Sequence, residues 1–219
     1  MSKTLYVINP NSNQAVTDGL DAAVEPLRLA GGSSITCVTL TDGPPGIESQ
    51  LDVDRAAIAV HDFAMTHQHG ASGFVVACFS DPGLALLRER AGVPSFGISE
   101  SGALTAMTLG QTFGVIAILA RSIPRHLRNW GAMGIGARLA GEVAIGRTVS
   151  ELADRQATLA AMVDAGRRLR DEHGAQVLVM GCAGMASFRA PLQEAVGLAV
   201  VEPTQAAVSM AVGRIPLGW

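Results

Sequence analysis

The chain repeats itself. LYVINP at 5–10 resembles FGVIAIL at 113–119, GFVVACFSDPGL at 73–84 resembles QVLVMGCAGMASF at 176–188, and VPSFGISESGALTAM at 93–107 resembles LAVVEPTQAAVSMA at 198–211. The spacing agrees too. Cys78 follows Ile8 by 70 residues and Cys182 follows Ile116 by 66; Ile98 follows Cys78 by 20 and Glu202 follows Cys182 by 20. Each copy is long enough to hold several elements, so the chain is constrained to fold as two versions of one plan. The expected boundary lies near residue 110, giving halves 1–110 and 111–219, with the last helix returning to pack on the first half.

Within each half, short β-branched runs alternate with Ala/Leu-rich runs. The expected strands are 4–8, 34–40, 73–77, 95–98, 113–119, 142–145, 176–180 and 199–201. They are nearly all apolar, as parallel strands covered on both faces must be. Helices are expected over 13–29, 52–69, 84–90, 101–109, 123–133, 151–172, 188–196 and 204–212. This alternation predicts a doubly wound α/β fold.

Composition removes several classes of function. With 48% apolar and 16% charged residues the chain is globular. A net charge of -3 and no Arg/Lys run argue against a nucleic-acid partner. No apolar stretch reaches the ~18 residues of a membrane span. The start, MSKTLYVINPNSN, lacks the layout of a signal peptide. Three widely spaced cysteines without a CxxC read as reduced thiols of a cytoplasmic protein. His61, His67 and His69 crowd one helix, but His67 and His69 do not share a face, so no metal site is expected there. The Gly-rich run 131–141 does not fit GxGxxG.

The repeat gives two of the cysteines a chemical meaning. Cys78 and Cys182 occupy equivalent places, each at the carboxyl end of a strand and ahead of a helix. Ligands of open α/β sheets bind at such ends. A helix N-terminus is expected to stabilise a thiolate there and to hold the oxyanion of a deprotonated carbon acid. With the halves facing one another, one sulfur removes an α-proton and the other returns a proton to the opposite face. Cys37, mid-strand in SITCVTL, is expected in the core. Asp81 is expected to act as an N-terminal acid of the helix after Cys78, and Glu202 to bond backbone N–H groups at its strand end. The Gly/Pro loop 41–48 is read as a pocket wall or as a surface turn. A Cys–His hydrolase would need a histidine near one cysteine, and His126 is the nearest to a candidate.

The pieces INPNSN (8–13), GPPGIES (43–49), ACFSDPGL (77–84), GVPSFGISES (92–101), MGCAGM (180–185) and VVEPTQAAV (200–208) run through nearly the whole chain. Together they resemble the aspartate/glutamate/hydantoin racemase superfamily, especially its hydantoin and allantoin branch. The resemblance implies two pseudo-symmetric halves, each with a four-stranded, mainly parallel sheet and the active site at their junction. It implies a racemase or epimerase that needs no metal or organic cofactor, with Cys78 and Cys182 as acid and base. It further implies substrate contacts from Asn9, from Phe79, Ser80 and Asp81 after the first cysteine, from Ala183 and Gly184 after the second, and from Arg121. The implied partner is a small molecule bearing a carboxylate or a ureide/hydantoin group, in a protein that is often a homo-oligomer. Glu202 stands where many members have Asp, and Ser80 where the hydantoin branch commonly has Gly. Rival readings keep the fold: an arylmalonate decarboxylase-like or maleate isomerase-like enzyme, or a non-catalytic carboxylate- or ureide-binding protein.

Overall fold

A computed structural model describes residues 3–218. The first half builds a parallel sheet from β1 (Thr4–Asn9), β2 (Ser34–Thr39), β3 (Ala71–Val76) and β4 (Ser95–Gly97), in the order β2-β1-β3-β4. The second repeats it with β5 (Phe113–Ala117), β6 (Leu139–Ala144), β7 (Val177–Gly181) and β8 (Ala199–Val201), in the order β6-β5-β7-β8. The pseudo-symmetric α/β architecture expected from the repeat is therefore what the chain adopts. In both sheets the strand order reverses beside the first strand, so the crevice opens between β1 and β3 and between β5 and β7. The cysteines follow β3 and β7 at that point.

The helices are α1 (Gln14–Val24), α2 (Gln50–His67), α3 (Leu84–Arg90), α4 (Ile98–Leu109), α5 (Ile123–Met133), α6 (Arg155–Asp171), α7 (Arg189–Val196) and α8 (Pro203–Arg214). β3, β5 and β7 are buried along their whole lengths, which explains their uninterrupted apolar runs. The largest apolar cluster joins Val7 and Val75 of the first half to Ile116, Met180 and Met185 of the second. Helix α8 packs on α4 and α1 and reaches β3 and β4, and Gln205 Nε2 donates to the Ala23 carbonyl at 2.7 Å. Its partner α4 keeps Gly102 against Pro203, where an added Cβ would come within 3.1 Å.

Two elements start three residues earlier than the sequence pattern implied. Helix α4 begins at Ile98 rather than 101, because a carboxylate from elsewhere caps it. The Asp81 oxygens accept from Ser99 N and Glu100 N, both at 2.9 Å. Strand β6 begins at Leu139 rather than 142, paired with β5.

Candidate active site

The β3 and β7 ends place Cys78 and Cys182 in the wall of one narrow pocket. Asn11, Ile47, Phe79 and Ser80 line it from the first half, and Ser122, Arg125, His126, Val149 and Gly184 from the second. An open groove of about 670 Å³ adjoins it, sharing Val149, Ala183 and Gly184.

The two cysteine turns are built alike. Asp81 N donates to the Cys78 carbonyl at 2.9 Å, and Met185 N to the Cys182 carbonyl at 3.1 Å. The Cys78 sulfur accepts from the Ser80 N–H, and the Cys182 sulfur from the Gly184 N–H. Gly184 keeps this turn tight, since a Cβ there would sit 3.0 Å from Leu152.

The expectation of acidified thiols is overturned. Burial pushes Cys78 up to about 12 and Cys182 up to about 11. Helix α3 starts only at Leu84, too far along the chain to help Cys78, and Cys182 is the N-cap of only a short 3-10 helix, Ala183–Phe188, that leads into α7. Each sulfur therefore gains one backbone N–H, which does not offset the loss of water. Nearby charges differ. Arg125 favours the Cys78 thiolate while Cys182 and Asp81 oppose it, and Glu48 opposes the Cys182 thiolate.

Asp81 has a different task from the one expected. It adopts a left-handed φ of 44° and turns its carboxylate across to cap α4, not the helix that follows it. Gly97 makes room, because any Cβ there would lie 2.2 Å from the carboxylate carbon. Burial raises the Asp81 carboxyl to about 7 against the pull of the Ser99 and Glu100 N–H groups. Glu202 does for α8, from within its own segment, what Asp81 does for α4. It accepts from Thr204 N at 3.0 Å and Gln205 N at 2.6 Å.

The remaining sequence-derived site residues divide. Phe79, Ser80, Ala183 and Gly184 line the pocket with the cysteines. Asn9 is fully buried and spends its amide on Asn11, Asn13 and Thr17, so Asn11 is the asparagine in the wall. Arg121 points outward with its side chain 60% exposed and pairs with Glu48 at 2.7 Å. Glu48 also accepts from Val149 N at 3.0 Å, which fastens the 41–48 loop to the second half and sets Ile47 in the wall. Among the described residues no three His, Cys, Asp or Glu side chains cluster as a metal site.

Sequence reading passed over Arg125 as a site residue and left His126 without a role. Both stand on α5 and line the pocket. His126 Nδ1 lies 2.9 Å from Glu142 Oε2, and Trp130 Nε1 donates to Glu142 Oε1 at 2.5 Å. One signal was available. Glu142 is a lone carboxylate inside a strand, and His126 and Trp130 sit four apart on one helix face.

The Asp/Glu/Hydantoin racemase family model matches residues 5–211. A hydantoin racemase of Paenarthrobacter aurescens is 30% identical over 222 residues, covering 98% of this chain and 92% of that protein. The structure of an allantoin racemase from Klebsiella pneumoniae superposes with a TM-score of 0.91 at 30% identity, covering 99% of this chain and 89% of that one. An allantoin racemase from Pseudomonas fluorescens gives 0.92 at 29% identity, covering 98% and 92%.

Proposed function

The chain belongs to the Asp/Glu/hydantoin racemase family, and from that premise we propose that Cys78 and Cys182 are the acid and base of its reaction. The protein is a racemase or epimerase acting at a carbon next to a carbonyl. One thiolate removes the α-proton, the electrons move into the adjacent carbonyl, and the opposite thiol protonates the other face. The observation that carries this reading is the pair of matching turns around one pocket, each giving its sulfur an N–H from two residues on.

The raised thiols give a strong base that is scarcely ionised near neutral pH, whereas general-base catalysis works best when the conjugate acid lies near the working pH. A thiolate whose conjugate acid lies near 11 or 12 is a stronger base than an ordinary cysteine. Only one of the two need be ionised at a time. Each turnover moves that negative charge from one sulfur to the other.

Substrates in this reading are small molecules with a carboxylate or a ureide ring, such as 5-substituted hydantoins, allantoin, aspartate or glutamate. The buried guanidinium of Arg125 beside the cysteines supports a substrate oxygen there. The two-thiol chemistry itself calls for no metal or organic cofactor. The decisive experiment follows α-proton exchange and optical rotation for these compounds in D₂O, with Cys78→Ala and Cys182→Ala. Each variant should lose racemisation by about 10²–10⁴-fold, the usual worth of a positioned acid or base. Each should still exchange the α-proton of one enantiomer. Racemisation at the normal rate by both variants would sink the reading.

A further inference from the structure

We propose that Arg125 and His126 choose the substrate, forming a donor and an acceptor that together fit one amide edge, a carbonyl beside an N–H. This rests on the two-thiol reading and names the residues that recognise what the thiols act upon.

His126 is only 2% exposed, and its ring is fixed on several sides. The Phe79 ring meets it edge-on with centroids 5.1 Å apart, and Trp130 lies at 6.5 Å. Both Glu142 oxygens are engaged, one by the indole N–H and one by Nδ1. A carboxylate only accepts hydrogen bonds, so Nδ1 carries a proton, and the tautomer with that single proton leaves Nε2 as an acceptor. Nε2 has no partner among the described residues, and the ring lines the pocket.

Arg125 offers the opposite. It is 8% exposed and has no carboxylate partner among the described residues. Its Nη atoms donate to the Arg121 and Glu48 carbonyls and to Ser122 Oγ, each at 3.3 Å. Its buried Nε–H has no acceptor among the described residues. An unmatched buried donor is costly, and a ligand oxygen would relieve it.

A donor and an acceptor lining one pocket are the groups that a ring N–H flanked by a carbonyl needs. A carboxylate fits less well: it satisfies Arg125 but sets its own lone pairs against Nε2. The first half lines the same pocket with Asn11, Phe79 and Ser80, with no guanidinium or imidazole among them.

The test compares a 5-substituted hydantoin with its N1-methyl and N3-methyl derivatives, reading kcat/KM for exchange and racemisation in D₂O. The wild type should lose about tenfold or more on one methyl derivative, because a site built for an N–H rejects a ligand lacking it. In His126→Phe that ratio should fall to near one. Glu142→Gln is the sharper variant. Its carbonyl oxygen serves Trp130, and its NH₂ donates to Nδ1, which moves the ring proton to Nε2. Nε2 then becomes a donor, and the preference for N–H over N-methyl should vanish or reverse. Circular dichroism and thermal unfolding establish which variants are folded, and either one suffices for the comparison. An unchanged ratio in a folded variant overturns the proposal. Exchange of aspartate or glutamate but of no hydantoin also overturns it, while leaving the thiols in place. No exchange of any compound removes the two-thiol reading, and this proposal with it.

Discussion

The two halves share a sheet order and a cysteine turn, and differ in nearly everything around the turn. At Cys78 the chain passes through a left-handed Asp81 whose carboxylate reaches over to α4. At Cys182 it runs straight into a 3-10 turn, and the matching helix is capped by Glu202 from its own segment. The Arg125 guanidinium favours the thiolate of the first sulfur, and the Glu48 carboxylate opposes that of the second. What is duplicated is what a proton transfer needs on both faces of a carbon: a sulfur, an N–H behind it and a strand end to hold them. What has diverged is what an asymmetric substrate needs, a single way to sit. Pseudo-symmetry supplies the chemistry, and its breakage supplies recognition.

The caps offer the strongest challenge to that view. Asp81→Ala and Glu202→Ala each strip two buried N–H groups of their acceptor, so each should cost roughly 2–5 kcal/mol in urea unfolding. A loss in only one of them would show that the caps are not equivalent. The Asp81 cap also has a pH signature. Its folded value of about 7 lies above the ordinary 3.8, so its contribution is full below about 4 and is lost as pH rises through 7. Thermal midpoints of the wild type should therefore carry a decline over that window that Asp81→Ala lacks.

A smaller effect separates the sulfurs. With Cys182 raised less than Cys78, iodoacetamide should label Cys182 about threefold faster at mildly alkaline pH, its larger thiolate fraction being partly offset by weaker nucleophilicity, as read by peptide mass mapping. Equal labelling, or Cys78 first, would remove the electrostatic difference between the halves. Smallest of all, Glu48→Gln keeps an acceptor for Val149 N and loses only the ion pair to exposed Arg121. It should cost less than about 1 kcal/mol, and a double-mutant cycle with Arg121→Gln measures the coupling.

The sequence carried the sheets and the paired cysteines because repetition and apolar runs are local patterns. It carried Glu202 for the same reason, since a cap and the N–H groups it serves are neighbours in the chain. Asp81 was misassigned because its partners lie 18 and 19 residues on, across a tertiary contact that no local period encodes. The thiols were expected too acidic because burial, a property of the whole fold, outweighed the nearest dipoles. Asn9 ends β1 and Asn11 stands two residues on in the loop that follows, and only packing decides which one faces the pocket. Arg121 and Arg125 are one helical turn apart, and the same packing sends one outward to Glu48 and keeps the other in.

Helix α8 has a consequence for how the molecule comes into being. It lies against β3, β4 and α1, so the strand that leads to Cys78 is covered by a helix from the other half of the sequence. During synthesis the earlier half therefore keeps an uncovered flank until α8 has emerged and docked.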